Sequence, residues 1–399
     1  MSDSLLRSVC TAALAAATVI AAVPAPAAAA VPPAPTTVAG MLTELQKLYR
    51  QIGEVGETYN ATAERLRKQQ TETARLSRDL ATARNAIAAG RGDVGRLARE
   101  QYQGQTDLSS YLQLLLAKNP RQALDQGHLI ERAASDRLAT IARMEAGARR
   151  ADTLASESRK ALDEEKALAQ EQKRARDTAT ARLREVEQLL ASLSAGEIAE
   201  LAALEQSHTA TAQKKLLSTG VLNGKRTPSK KGGQALRFAV EQIGKPYVLG
   251  AAGPQAYDGS GLVSQAWARA GRAIPRTSQE QWLELPKVTL RKLRPGDLVI
   301  YFPKATHVAI YLGNGLVVQA PRPGTRVKVS PLAANPLLGA VRPDPDGAAL
   351  SAYTPPKLPP GATKGSDAGY GAEPAPGGGL SAPGAPPAPQ APAPETSPR

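Results

Sequence analysis

The stretch DLVIYFPKATHVAIYLGNGLVVQA, residues 297–320, decides the fold of this chain. It holds three runs of strand length rich in Val, Ile, Leu and Tyr. Pro295-Gly296 precedes the first run, and Asn314-Gly315 separates the last two. Asn-Gly between two apolar runs is a hairpin signal, because a tight two-residue turn needs positive φ at both central positions. Pro323-Gly324 and a further run, VKVSPL, extend the pattern. Between Ala235 and that last run the order is short helices first, strands after, which predicts an α+β domain.

Upstream the composition changes. From Met41 to Leu217 the chain is rich in Ala, Leu, Glu, Arg, Lys and Gln. Leu80, Ile87 and Val94 recur at seven-residue steps, Gln101 interrupts them, and Leu108 and Leu115 resume. That spacing predicts long helices with a coiled-coil seam. Gly90, Gly92, Gly95 and Gly104 weaken a single rod, and Asn119-Pro120 offers a cap followed by proline at a first helical position, so the expectation is a helical hairpin broken at its tip. At that tip Leu108, Leu112 and Leu115 lie in LSSYLQLLLAK, which is apolar around most of a helix. Such a segment must be covered, either by its own hairpin or by a partner.

The 399 residues divide into a signal peptide at 1–30, a linker at 31–40, the hairpin at 41–217, a basic linker at 218–234, the α+β domain at 235–342 and a Pro/Ala/Gly-rich tail at 343–399, read as disordered. Arg7 ahead of an apolar run that closes on small residues is the layout of an export signal. Pro24 and Pro26 leave the run short of a membrane span, so the mature chain is expected to be secreted. Its only cysteine, Cys10, falls inside the signal, which excludes disulfides, thiol chemistry and cysteine zinc sites from the mature protein. No metal or other cofactor is expected. The net charge of +14 calls for an anionic partner. With aromatics at 4%, stacking platforms for single-stranded nucleic acid are scarce, so nucleic acid is not the expected one.

The ordered blocks GKPYVLGAAGPQAYDGSGLVSQAWARAGRAIPRTSQEQW, LRPGDLVIYF and HVAIYLGNGLVVQAPRPG resemble the NlpC-type family of cell-wall cysteine peptidases. The resemblance implies a papain-like α+β domain acting on peptidoglycan stem peptides at bonds next to D-amino acids. A long hairpin ahead of such a domain is similar to actinobacterial and streptococcal wall hydrolases under the control of a division-site membrane complex. That implies such a complex, or another wall hydrolase, as partner, and a wall-associated location.

In that family the block reads Asp-Cys-Ser-Gly, with the cysteine opening a helix whose amides and dipole favour the thiolate. Here the residues are Asp258, Gly259, Ser260 and Gly261, so glycine stands in the nucleophile's slot. The resemblance makes His307 the base and Gln319 its orienter, and places Tyr247, Asp258 and Ser260 around the substrate. Leu249 and Ala251 depart from the usual Trp and Gly. One helical residue turns a side chain by about 100°, so the Ser260 hydroxyl misses the slot. The expectation is a catalytically silent domain that binds stem peptides or regulates true hydrolases through its coiled coil. The alternative is an active endopeptidase with another nucleophile. If Gln319 is to face His307, the hairpin needs an odd loop, expected as the three residues Gly313, Asn314 and Gly315.

Overall fold

The computed structural model describes residues 37–102, 120–224, 226–365 and 367. Helix α1 (Val38–Tyr102) and helix α2 (Pro120–Ala191) run against each other along their length. Leu76 of α1 meets Leu154 and Ala161 of α2, with Leu80 and Ala83 beside them, so the seven-residue pattern does form an interhelical seam. The glycines at 90, 92 and 95 do not stop α1, which continues to Tyr102. Gly90 instead lies against Met144, and Gly147 of α2 against Ile87, where the absent side chains let the two helices approach. The apolar tip, with Leu108, Leu112 and Leu115, lies outside the described residues, as does the expected export signal.

After α2 the chain turns at Ser194, whose hydroxyl and Glu197 form a capping box that starts helix α3 (Ala195–Ser218). At the base of the hairpin Leu42, Leu45, Leu48, Tyr49 and Ile52 of α1 bury against Val186 of α2 and Leu201 of α3.

The α+β domain opens with helix α4 (Lys230–Glu241), followed by α5 (Gly259–Arg269) and α6 (Ser278–Glu284). The strands are β1 (Lys287–Val288), β2 (Leu298–Tyr301), β3 (His307–Gly313), β4 (Leu316–Gln319), β5 (Lys328–Pro331) and β6 (Leu337–Val341). They form one sheet in the order β1-β6-β2-β3-β4-β5 with antiparallel neighbours. One face, with Ile300, Val308, Ile310 and Val318, packs on Leu236, Leu262, Val263 and Trp267 of α4 and α5. The other, with Val299, Ala309, Tyr311 and Val317, packs with Leu216 of α3 beside it. Burial on both faces explains why these strands read as continuous apolar runs instead of alternating ones.

Two boundaries shift from the sequence reading. The basic stretch assigned to a linker at 218–234 is folded from Thr227 on. Ser229 caps α4 by accepting from the Gly232 amide, and Lys230 and Lys231 are helical. The tail assigned to disorder from residue 343 packs on the domain through residue 365. Asp344 pairs with Arg294, Leu350 N donates to Pro228 O at 2.9 Å, and Val329 of the edge strand β5 donates to Ala362 O at 2.8 Å. A Pro/Gly-rich segment cannot build its own core, yet it can lie on one already made and satisfy an open sheet edge.

Candidate functional site

The site is assembled where α5 begins. Asp258 is the N-cap of that helix, and its Oδ1 accepts from the Gly261 amide at 2.6 Å. Gly261 is obligatory, because a Cβ there would sit 2.2 Å from the Ala251 carbonyl oxygen. Gly259 is the first helical residue and faces β3. A Cβ on it would lie 2.9 Å from both Nδ1 and Cε1 of His307 and 3.3 Å from the Val308 carbonyl oxygen. The imidazole thus occupies the space a nucleophile's side chain would need.

His307 is held there from behind. Its Nε2 is 2.7 Å from Gln319 Oε1, and because that oxygen only accepts, Nε2 carries the proton and Nδ1 presents a lone pair toward Gly259. Tyr301 stacks on the ring, with centroids 5.6 Å apart. Burial lowers the His307 pKa to about 4, so the ring is neutral near pH 7. The two side chains share a face, as the family role requires, but the loop is not the expected three-residue one. Asn314 and Gly315 form a two-residue turn with φ of 52° and 72°, and the pairing then shifts between Tyr311 and Gly313. That one-residue bulge resets the register to Ile310 opposite Val318, and continuing it carries Gln319 to the level of Ala309.

A polar cluster lies beside Gly259. Arg276, a residue the sequence reading did not single out, grips Asp258 with both terminal nitrogens at 3.1 and 2.8 Å and donates to Ser260 Oγ at 2.8 Å. Tyr247 lies close enough to Asp258 and Arg276 for their charges to bear on it, and burial first of all raises its phenol pKa. The Ser260 hydroxyl also meets Asp258 Oδ1 at 3.3 Å, and among the described residues it makes no hydrogen bond to His307. Sequence reasoning grouped Tyr247, Asp258 and Ser260, and the fold does bring them together.

What the sequence reading missed is that α1 enters this cluster. Glu57 accepts from Ser260 Oγ at 3.1 Å and from the Ser278 amide at 2.9 Å, and Asn60 Nδ2 donates to Asp258 Oδ2 at 3.0 Å. Glu57 is fully enclosed; burial, with Asp258 adding to it, raises its pKa to about 8, so the carboxyl is largely protonated at neutral pH. Gly53 and Gly56 sit one helical turn apart on the same side. Gly56 leaves a notch for Leu249, whose Cδ1 would be 2.6 Å from a Cβ there, and Gly53 lies against Thr306. At the rim Lys304 pairs with Glu54 at 3.0 Å, Arg322 with Glu205 of α3 at 3.5 Å, and Arg322 also stacks on Tyr49. The signal available in sequence was GEVGETYN, where two glycines, an acid and an amide share one helix face.

Residues 244–338 match the model of the NlpC/P60 family, and the domain belongs to that family. A probable endopeptidase of Corynebacterium glutamicum (strain R) is 38% identical over 133 residues, 33% of this chain and 63% of the relative. The peptidoglycan endopeptidase RipA of Mycolicibacterium smegmatis is 36% identical over 132 residues, 29% of this chain and 26% of the relative. The first three curated relatives are spanned over 63%, 56% and 25% of their own lengths. Among solved structures, the NlpC/p60 domain of the peptidoglycan hydrolase SagA is 32% identical, with 28% of this chain and 97% of that one covered and a TM-score of 0.27. RipD of Mycobacterium tuberculosis, reported as a non-catalytic NlpC/p60 domain protein adapted to peptidoglycan binding, is 30% identical over 29% of this chain and 98% of that one, also with a TM-score of 0.27. No helix among the described residues is long and apolar enough to cross a membrane.

Proposed function

We propose that this is an exported, wall-associated protein whose NlpC/P60 domain binds peptidoglycan stem peptides without cutting them, and whose hairpin regulates true hydrolases or docks a division-site membrane complex. One observation carries the reading: the nucleophile's position is a glycine, and the His307 ring has taken the space beside it. Loss of a nucleophile costs a hydrolase on the order of a million-fold in turnover. Ser260 is a poor substitute, since its hydroxyl is committed to Glu57, Asp258 and Arg276 and not to the imidazole. The Asp258 cluster is closed by α1, and beside it a cavity lined by His307 and Tyr247 stays open, which favours binding over decay. The matching relatives are named as endopeptidases, one of them of peptidoglycan, which supports peptidoglycan as the ligand, and the family resemblance narrows it to the stem peptide.

The test is incubation of the mature protein with purified peptidoglycan, with the released muropeptides followed by mass spectrometry. No new peptide is expected. Cleavage by the wild type that disappears in Ser260→Ala would instead identify a serine nucleophile and an active endopeptidase.

A further inference from the structure

A cavity of about 610 Å³ lies between the hairpin base and the domain, with His307 and Tyr247 among the residues lining it. Its size is that of a small-ligand site, and its walls come from three elements that are far apart in sequence. From α1 come Tyr49, Arg50 and Gly53, from α3 His208 and Lys215, and from the loop after β4 Arg322. Its cationic side chains are Arg50, Lys215 and Arg322, and Arg322 pairs at 3.5 Å with Glu205, the one carboxylate among the described lining residues, which leaves the pocket with an excess of positive charge from Arg50 and Lys215. The remainder of the lining is largely apolar, including Ile52, Phe302 and Pro321. Such a pocket suits a small ligand with several carboxylates and some apolar surface.

The cleft is blocked beside this pocket. Past His307, Glu57 and Asn60 of α1 fill the cluster formed by Asp258, Ser260 and Ser278. A strand crossing the cleft from side to side would have to pass through that contact, whereas a ligand that ends in the pocket would not. We propose that the hairpin and the domain together form a receptor for the free end of a short, anionic peptide, a soluble stem-peptide fragment in preference to the cross-linked wall polymer. The inference rests on the stem-peptide reading above and adds to it a ligand form and the hairpin residues that select it. Because the pocket is complete only while α1 and α3 are seated, an occupant also holds the hairpin docked by mass action. Release of such fragments would then be read as a change in hairpin position.

The experiment titrates the full mature chain calorimetrically with L-alanyl-γ-D-glutamyl-diaminopimelate and, in parallel, measures its co-sedimentation with intact insoluble peptidoglycan. Arg50 and Lys215 are exposed residues on helices, so Arg50→Glu combined with Lys215→Glu should leave the circular dichroism unchanged while weakening tripeptide binding at least tenfold. Lys166→Glu, on the exposed face of α2, should bind like the wild type. Tripeptide binding that ignores the double substitution, or equal affinity per stem for the intact polymer, overturns the receptor while leaving the wall-binding reading in place. Binding of neither tripeptide nor polymer sinks both.

Discussion

Gly259→Ala is the substitution that bears most directly on the proposal of a silent site. The added methyl carbon would sit 2.9 Å from two atoms of the His307 ring, against the roughly 3.5 to 4.0 Å of comfortable contact. The ring cannot simply drift, since Gln319 holds it at 2.7 Å and Tyr301 stacks on it. If it swings aside, the buried Gln319 amide loses the one side-chain hydrogen bond it makes among the described residues, where its Nε2 is already without a partner. Overpacking of this kind costs about 1–3 kcal/mol, and an orphaned buried polar group costs about as much, so a loss of about 1–3 kcal/mol is expected. Any gain in helix propensity over glycine is at most about 1 kcal/mol. Urea unfolding followed by tryptophan fluorescence reads this, because Trp267 is fully buried against α4 and the sheet. In a Gln319→Ala background only the Tyr301 stack still holds the ring and the penalty should shrink, giving a coupling of about 0.5 kcal/mol or more. A neutral Gly259→Ala would show that the ring yields freely and the slot is still open, which removes the main support for a filled nucleophile position. Gly259→Cys meets the same overlap. Its thiol should titrate below about 8.5 only if the ring steps back and the helix N-terminus still acts on the sulfur.

Hairpin docking should depend on pH through Glu57. Its pKa is raised from 4.5 to about 8 in the docked state, so its contribution is full below pH 4.5 and is lost progressively as pH rises through 8, by on the order of a few kcal/mol. His307, lowered to about 4, opposes this and favours the native arrangement above pH 6.5, with that contribution lost as pH falls through 4. With no cysteine expected in the mature chain, spin labels on introduced cysteines at exposed Thr58 and Pro303 can follow the α1–domain distance. Separation should increase between pH 6 and 9 in the wild type and not in Glu57→Gln, and an unchanged distance in both would refute the linkage. At the apolar tip, Leu112→Glu with Leu115→Glu should abolish pull-down of a membrane partner while keeping the helical circular dichroism, and loss of the helical signal would return the segment to a packing role.

The features legible in sequence are those written in local chemistry. Asn314-Gly315 marked the hairpin, though the expected loop had three residues where the structure has two, and the β-branched runs marked their strands, so the α+β domain was readable, while the His307–Gln319 pair came from the family resemblance. The bulge in β3 was not visible, because the same register follows from a three-residue loop or from a two-residue turn plus one extra residue. Glu57 and Asn60 escaped for a different reason. On a surface helix an acid and an amide read as solvated, and only a partner roughly 200 residues away in sequence makes them buried. Residues 343–365 were misjudged because composition measures whether a segment can build a core, not whether it can borrow one.

Two features of this site, a glycine at position 259 and an intruding helix, make physical sense together. Asp258 and Arg276 form a largely buried ion pair, and such pairs are weak sources of stability because desolvation offsets their attraction. In a hydrolase the orientation of substrate justifies that cost. Here Asn60 donates to Asp258 and Glu57 accepts from Ser260, so α1 engages the cluster that holds the pair. Glu57 meets this acidic neighbour by keeping its proton, which turns a repulsion between carboxylates into a tolerable contact. The surroundings of Gly259 therefore form a socket for α1, in which hydrogen bonds supply the register and Gly53 and Gly56 supply the fit. A socket built from a protonated acid and a few hydrogen bonds is reversible by nature, so the same contact that closes the cleft also sets how easily the hairpin can leave it.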